Sequence, residues 1–177
     1  AGDSAAVEAY LQAARRESEL YRPERALQLA RRGLDIAPPA ESFALRCLEG
    51  GLLRSHGNVP ESIGAYRSAT EVATGDVDRC NALIGMAQGM AVTAAHSEAL
   101  GILDSAIEIA QQHKLVLEQA RIHRTLGKVH FYRGNIDTCL EANNRSLEYA
   151  RAAKSVEVEA RALSGLANAE YNRGRFI

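Results

Sequence analysis

Residues 126–147 read LGKVHFYRGNIDTCLEANNRSL. Leu126-Gly127 lies within a helix-like stretch that ends at Tyr132. Arg133-Gly134-Asn135 breaks it, because Gly and Asn favour turns. A second amphipathic stretch then starts at Ile136, passes Cys139-Leu140 and reaches Ser146-Leu147. The pattern recurs along the chain. A second copy runs Gly50, His56-Gly57-Asn58-Val59, Ser62-Ile63, Tyr66, Ala69. A third runs Met86-Ala87, Ala94, His96, Ala99-Leu100, Leu103, Ala106-Ile107. Near the C-terminus Leu166-Ala167 is followed by Asn172-Arg173-Gly174-Arg175-Phe176, and a weaker copy at the start holds Tyr10, Ala13-Ala14, Tyr21, Ala26-Leu27, Ala30 and Gly33-Leu34.

The breaks fall at Tyr21, Gly57, Ala94, Gly134 and Gly174, at spacings of 36, 37, 40 and 40 residues. Each interval holds two helices of three to four turns with two short connections. Second helices are predicted to begin near Pro23, Pro60, Ser97 and Ile136, with a further start at Phe176. The prolines suit a first helical turn, where the missing N–H costs nothing. Pro38-Pro39 and Gly75-Asp76 separate the first three units. The spacing therefore predicts an all-α chain of about nine helices in units of residues 7–42, 43–79, 80–119 and 120–159, with a truncated fifth, 160–177. A lone helix from about Val156 to Arg173 ends the series.

Composition agrees. The chain has 177 residues, 46% apolar and 24% charged, which is a globular composition. Roughly one residue in six is Ala, there is no Trp, and only 4 residues are Pro. Small side chains such as Ala26, Ala30, Ala99 and Ala106 let helices approach closely. Leu100, Leu103 and Ile107 are expected to form one buried stripe. No stretch alternates apolar and polar residues long enough for a β-sandwich. With 21 Lys+Arg against 22 Asp+Glu, bulk charge gives no reason to expect a nucleic-acid partner. Cys47, Cys80 and Cys139 are odd in number and scattered, which excludes a disulfide framework and suits a cytoplasmic location. The longest apolar stretch, residues 82–95, is too short to span a bilayer. Ala1-Gly2-Asp3-Ser4 is no signal peptide and lacks an initiator Met, so a piece of a longer protein is expected.

The order of small residues, Tyr-x-x-Gly and paired alanines resembles the tetratricopeptide repeat (TPR) family over nearly the whole chain, in a long-period variant of about 36–40 residues. The resemblance implies an α-α superhelix, a right-handed helical-hairpin solenoid with a concave face. The family's Trp is replaced by Tyr10, Arg46, Leu83, His123 and Leu163. Its Gly survives at Gly50 and Gly127, with Ala14, Ala87 and Ala167 elsewhere. Independently of any family, no unit can bury its apolar stripe alone, so the units must stack.

Catalytic signatures are missing: Gly127-Lys128 is followed by Val129 and is no P-loop, and there is no HExxH or Gly-x-Ser-x-Gly. No enzyme activity, cofactor or metal is expected. His123 and His130, seven apart on one helix, fall at large packing positions and are read as core side chains rather than metal ligands. The resemblance places the first helix of each unit on the concave face through four positions. These are Glu8, Leu11, Arg15 and Ser18; then Ala44, Cys47, Gly51 and Arg54; then Asn81, Ile84, Gln88 and Ala91. Units four and five supply Arg121, Arg124, Lys128 and Phe131 beside Tyr132, then Arg161, Ser164, Asn168 and Tyr171 beside Asn172. The middle is small and neutral, and the C-terminal part is basic with amides and rings. Arg forks hold carboxylates and Asn amides hold an extended backbone. The candidate partner-binding residues are thus Arg121, Arg124, Lys128, Phe131, Tyr132, Arg161, Asn168, Tyr171 and Asn172.

The expected function is a protein-interaction scaffold or sensor module of a larger signalling or regulatory protein, binding an acidic and apolar partner segment. The alternative is a small-ligand or peptide receptor gating an attached ATPase or cyclase. The order of basic and amide residues that marks the family's carboxylate-clamp members is not matched. Leu163, Leu166 and Ala167 should be left uncovered at the end of the series, which predicts further repeats or a homo-oligomer joined through the C-terminal end.

Overall fold

The computed structural model describes residues 4–174. The expected start of a further helix at Phe176 lies outside them, as do Ala1-Gly2-Asp3. Among the described residues there are nine α-helices and no strand. They are α1 (Ser4–Glu19), α2 (Pro23–Ile36), α3 (Phe43–Ser55), α4 (Val59–Val72), α5 (Asp76–Val92), α6 (His96–Gln112), α7 (Val116–Tyr132), α8 (Ile136–Ala152) and α9 (Val156–Asn172), with a 3₁₀ turn at Pro39–Glu41. The second helices start within one residue of the predicted positions: α4 at Val59 rather than Pro60, α6 at His96 rather than Ser97. The chain divides into two compact units, Ala1–Gly89 and Met90–Ile177, the division falling within α5.

The chain reverses by one device. All five predicted breaks have a positive φ: Tyr21, Gly57, Ala94, Gly134 and Gly174. Lys114 and Lys154 share it, with φ of 53° each. From Ala94 onward these residues recur every 20 positions, Ala94, Lys114, Gly134, Lys154 and Gly174, because α5 to α9 are each 17 residues long. The residue after each turn donates its N–H back across it. Arg22 bonds Glu17 O, Asn58 bonds Leu53 O, Ala95 bonds Met90 O, Leu115 bonds Ala110 O, Asn135 bonds His130 O and Ser155 bonds Ala150 O, at 2.8–3.1 Å. This is the Schellman closure, which satisfies the last helical carbonyls and requires a left-handed residue. For an L side chain that conformation costs on the order of 1–2 kcal/mol. Replacing Ala94, Lys114 or Lys154 with Gly should therefore stabilise the chain by about 0.5–1 kcal/mol each, after the entropy cost of Gly, as read by urea unfolding.

In the first unit α1 packs on α2 and α3 on α4. Val7, Leu11, Ala14, Ala30 and Leu45 form a buried cluster. The close approach depends on small residues: a Cβ at Gly33 would stand 2.9 Å from Leu45 Cδ1. Tyr66 of α4 is buried, and its ring lies against Gly50 of α3 and Gly85 of α5. Ser62 Oγ donates to Gly50 O at 2.7 Å and pins α4 to α3. In the second unit α6 packs on α7, α7 on α8, and α9 on both α7 and α8. Ala120, Ala150 and Val158 form one cluster, and Cys139, Leu140 and Ala169 another. Ser146 Oγ donates to Ala120 O at 2.8 Å and pins α8 to α7 near the start of α7.

Two packing expectations need correction. In α6 the fully buried residues are Ala99, Leu103, Ala106 and Ala110; Leu100 and Ile107 flank that stripe half-buried. The buried stripe is three alanines around Leu103, and the larger Leu100 and Ile107 lie at its edges. In α9, Leu163 and Ala167 are exposed as expected, but Leu166 packs against the Cys139, Leu140 and Ala169 cluster. Its side chain points back toward α8. No helix among the described residues is long and apolar enough to cross a membrane.

Candidate functional site

In the second unit α7 and α9 stand side by side over α8, and a cavity of about 220 Å³ opens between them. One face of α7 supplies Arg124, Lys128, Phe131 and Tyr132, and the facing side of α9 supplies Arg161, Ser164, Gly165 and Asn168. Gly127, Cys139 and Asn143 complete the lining. The helical period explains the grouping: offsets of three, four and seven share one face. Arg124 and Lys128 are half-buried, whereas Arg161, Ser164 and Asn168 are exposed.

The lining carries three cationic side chains and no Asp or Glu. Arg161 also pairs with Glu157 at 2.9 Å, one turn back on α9; this pair is solvent-exposed and contributes little. Lys128 Nζ stands 5.6 Å from the centre of the Tyr132 ring, within cation–π range. Tyr132 stacks on His96 with centroids 6.4 Å apart and meets the Phe131 ring edge-on. Asn143 is buried, and its Nδ2 donates to Cys139 O at 2.9 Å. That bond fixes which way the amide faces. Burial pushes the Cys139 thiol up, with the Asn143 hydrogen bond opposing it, so its sulfur stays a neutral thiol at neutral pH.

Six of the predicted site residues meet at this cavity: Arg124, Lys128, Phe131, Tyr132, Arg161 and Asn168. Three do not line it. Arg121 lies 3.8 Å from the buried Glu118 of its own helix. Tyr171 is largely exposed beyond the cavity. Asn172 donates to Asn168 O at 2.8 Å and caps its own helix end. The sequence did not single out Gly165, Cys139 or Asn143 for the site. The signal for Asn143 lies between the repeats: Asn143 of α8 holds the position that Tyr66 holds in α4, 77 residues earlier.

Other positions expected on an open face are closed. Leu11 belongs to the first unit's core, and Ile84 and Ala91 are buried. Cys47 is half-buried, and burial, with Asp78 adding to it, pushes its thiol up to about 12. It is therefore an uncharged, apolar side chain at neutral pH.

His123 is a packing residue. Its ring stacks on Tyr149 with centroids 5.5 Å apart and planes 11° from parallel. Burial, and then Arg145, lower its pKa below the usual 6.5. His130 is lowered by burial and then by Arg133. A depressed histidine pKa means that the unfolded chain binds more protons, so stability is complete above about pH 6.5 and declines as pH falls through the folded values. His123→Phe should keep the stack and flatten the stability profile between pH 7 and 5, measured by thermal unfolding at each pH.

No family model matches the chain, and no curated protein matches it by sequence. Solved structures do. A putative kinesin light chain of Podosopora anserina with nearly identical TPR-like repeats is 13% identical, with a TM-score of 0.69 over 98% of this chain and 89% of that one. The fold is a TPR-type helical repeat. MamA from Desulfovibrio magneticus RS-1, residue 41 to the end, is 13% identical with a TM-score of 0.66, covering 96% of this chain and 86% of that one. Aspartyl phosphate phosphatase F from Bacillus subtilis is 13% identical with a TM-score of 0.75 over 98% of this chain, which spans 51% of that protein. The all-α helical-hairpin class read from the sequence is therefore the observed one. In TPR terms, α7–α8 is one repeat and α9 the first helix of the next, so the cavity lies between the first helices of consecutive repeats.

Proposed function

We propose that this TPR-type chain is a protein-interaction scaffold, and that the α7–α9 cavity receives an acidic and apolar segment of a partner. One observation carries the reading: Arg124, Lys128 and Arg161 surround a cavity whose lining holds no carboxylate and includes Phe131 and Tyr132. Such a site favours anions and flat apolar groups together. Repeat stacks present extended faces suited to chain segments. At the α7–α9 cavity, size favours a chain segment over a whole small ligand. Pockets for whole small ligands run about 300–1,000 Å³, and about 220 Å³ suits a single side chain of a longer segment. The scaffold belongs, in this reading, to a larger cytoplasmic signalling or regulatory protein. The test is titration of fluorescent acidic peptides against the chain and against Arg124→Glu/Lys128→Glu; equal affinity for both proteins would refute it.

A further inference from the structure

The two compact units contain the same local arrangement with one exchange. In the first unit Tyr66 of α4 projects between Gly50 of α3 and Gly85 of α5. A Cβ at Gly50 would stand 2.7 Å from the Tyr66 ring, and one at Gly85 would collide with it. In the second unit Asn143 of α8 projects between Gly127 of α7 and Gly165 of α9, and a Cβ at either glycine would collide with its amide. Gly50, Tyr66 and Gly85 therefore correspond to Gly127, Asn143 and Gly165. Both pairs of glycines make room for one planar group, a phenol ring in the first unit and a shorter amide in the second.

The neighbourhood of the missing ring changes with it. A Cβ at Gly51 would lie 3.5 Å from Tyr66 Oη, and Cys47 and Arg54 bear electrostatically on the same hydroxyl. The residues at those three positions in α7 are Arg124, Lys128 and Phe131, and all three line the cavity. So where the first unit fills its slot from within, the second leaves the outer part empty and surrounds it with two cations and a ring.

We infer that the α7–α9 cavity is an aromatic slot vacated by the exchange of Tyr for Asn143, and that its occupant is one aromatic side chain from the acidic segment of a partner. This rests on the proposed scaffold reading and specifies its ligand. The glycine walls hold the Asn143 amide, and a flat ring fits beyond it, among Arg124, Lys128 and Phe131. The cavity has room for one such ring, whose face attracts Lys128 and Arg124. Acidic neighbours of that residue in the partner would meet Arg124, Lys128 and Arg161 at the mouth. Asn143 is thus a specificity-determining residue through what it leaves open.

The test uses two labelled peptides of Asp and Glu residues, one with a single central Phe and one with Ala in its place. Their affinities are measured by fluorescence anisotropy against the chain and against Asn143→Tyr, with helicity and thermal midpoint checked by circular dichroism. The chain should bind the Phe peptide at least 10-fold more tightly than the Ala peptide. Asn143→Tyr, refilling the slot from within, should remove that preference while the acidic contribution remains. If Asn143→Tyr does not fold, Asn143→Phe is held to the same criterion. Equal affinity of the chain for the two peptides, or a preference retained in the folded variant, overturns the slot and leaves the acidic reading standing. Binding of neither peptide overturns both.

Discussion

Reversing Arg124 and Lys128 together to glutamate should lower the affinity for an acidic segment by about 100-fold or more. Each side chain offers charge-assisted contacts, worth about 1.5–3 kcal/mol apiece, and about 1.4 kcal/mol is a factor of ten. Losing both therefore reaches two orders of magnitude before repulsion is counted. Both residues line the cavity and both are half-buried, so salt screens them less than it would fully exposed charges. Arg161→Glu alone should do less, because Arg161 is exposed and already shares its charge with Glu157. The measurement is peptide titration at two salt concentrations, with circular dichroism to confirm that the helices persist. A folded double variant that binds as tightly as the parent would remove α7 from the binding face.

Gly85→Ala should be the most damaging single-methyl change in the first unit. The added carbon would fall on the ring of Tyr66, a buried side chain held between two helices. Overpacking of this kind costs about 1–3 kcal/mol, and the ring has Gly50 close on its other side, which places the cost near the upper end. The effect should depend on the ring. In a Tyr66→Leu background the same Gly85→Ala change should cost much less, so a double-mutant cycle of urea midpoints should show coupling of more than about 1 kcal/mol. Additive effects would mean that the ring shifts aside freely and that Gly85 has another role.

These two sites differ in how far the sequence reveals them. Gly57, Gly134 and Gly174 mark turns by residue type alone. Tyr21 and Ala94 emerge only from register, because neither residue favours a left-handed backbone. Lys114 and Lys154 carry no local signal; the length of the 17-residue helices places them. Arg124, Lys128 and Phe131 are legible because helical offsets group them on one face whatever lies opposite. Leu11, Ile84 and Ala91 satisfy the same offsets and are nevertheless buried, because burial depends on which helix lies across from them, and a single helix's period does not contain that. Asn143 is harder still. A polar residue on a second helix reads as part of a solvated face until its place is compared with that of Tyr66.

The left-handed turns also mark the connections that lack them. Among the described residues, positive φ values occur at every reversal except those joining α2 to α3 and α4 to α5. The first of these passes through a single 3₁₀ turn at Pro39–Glu41, and the second runs through Ala73 in an extended conformation. Exposed connections without a tight closure are where a chain is most readily nicked or extended. Residues 39–41 and 74–75, which are exposed, are accordingly the natural places to cut this protein, to splice in a reporter or to open new termini, leaving each helical hairpin whole.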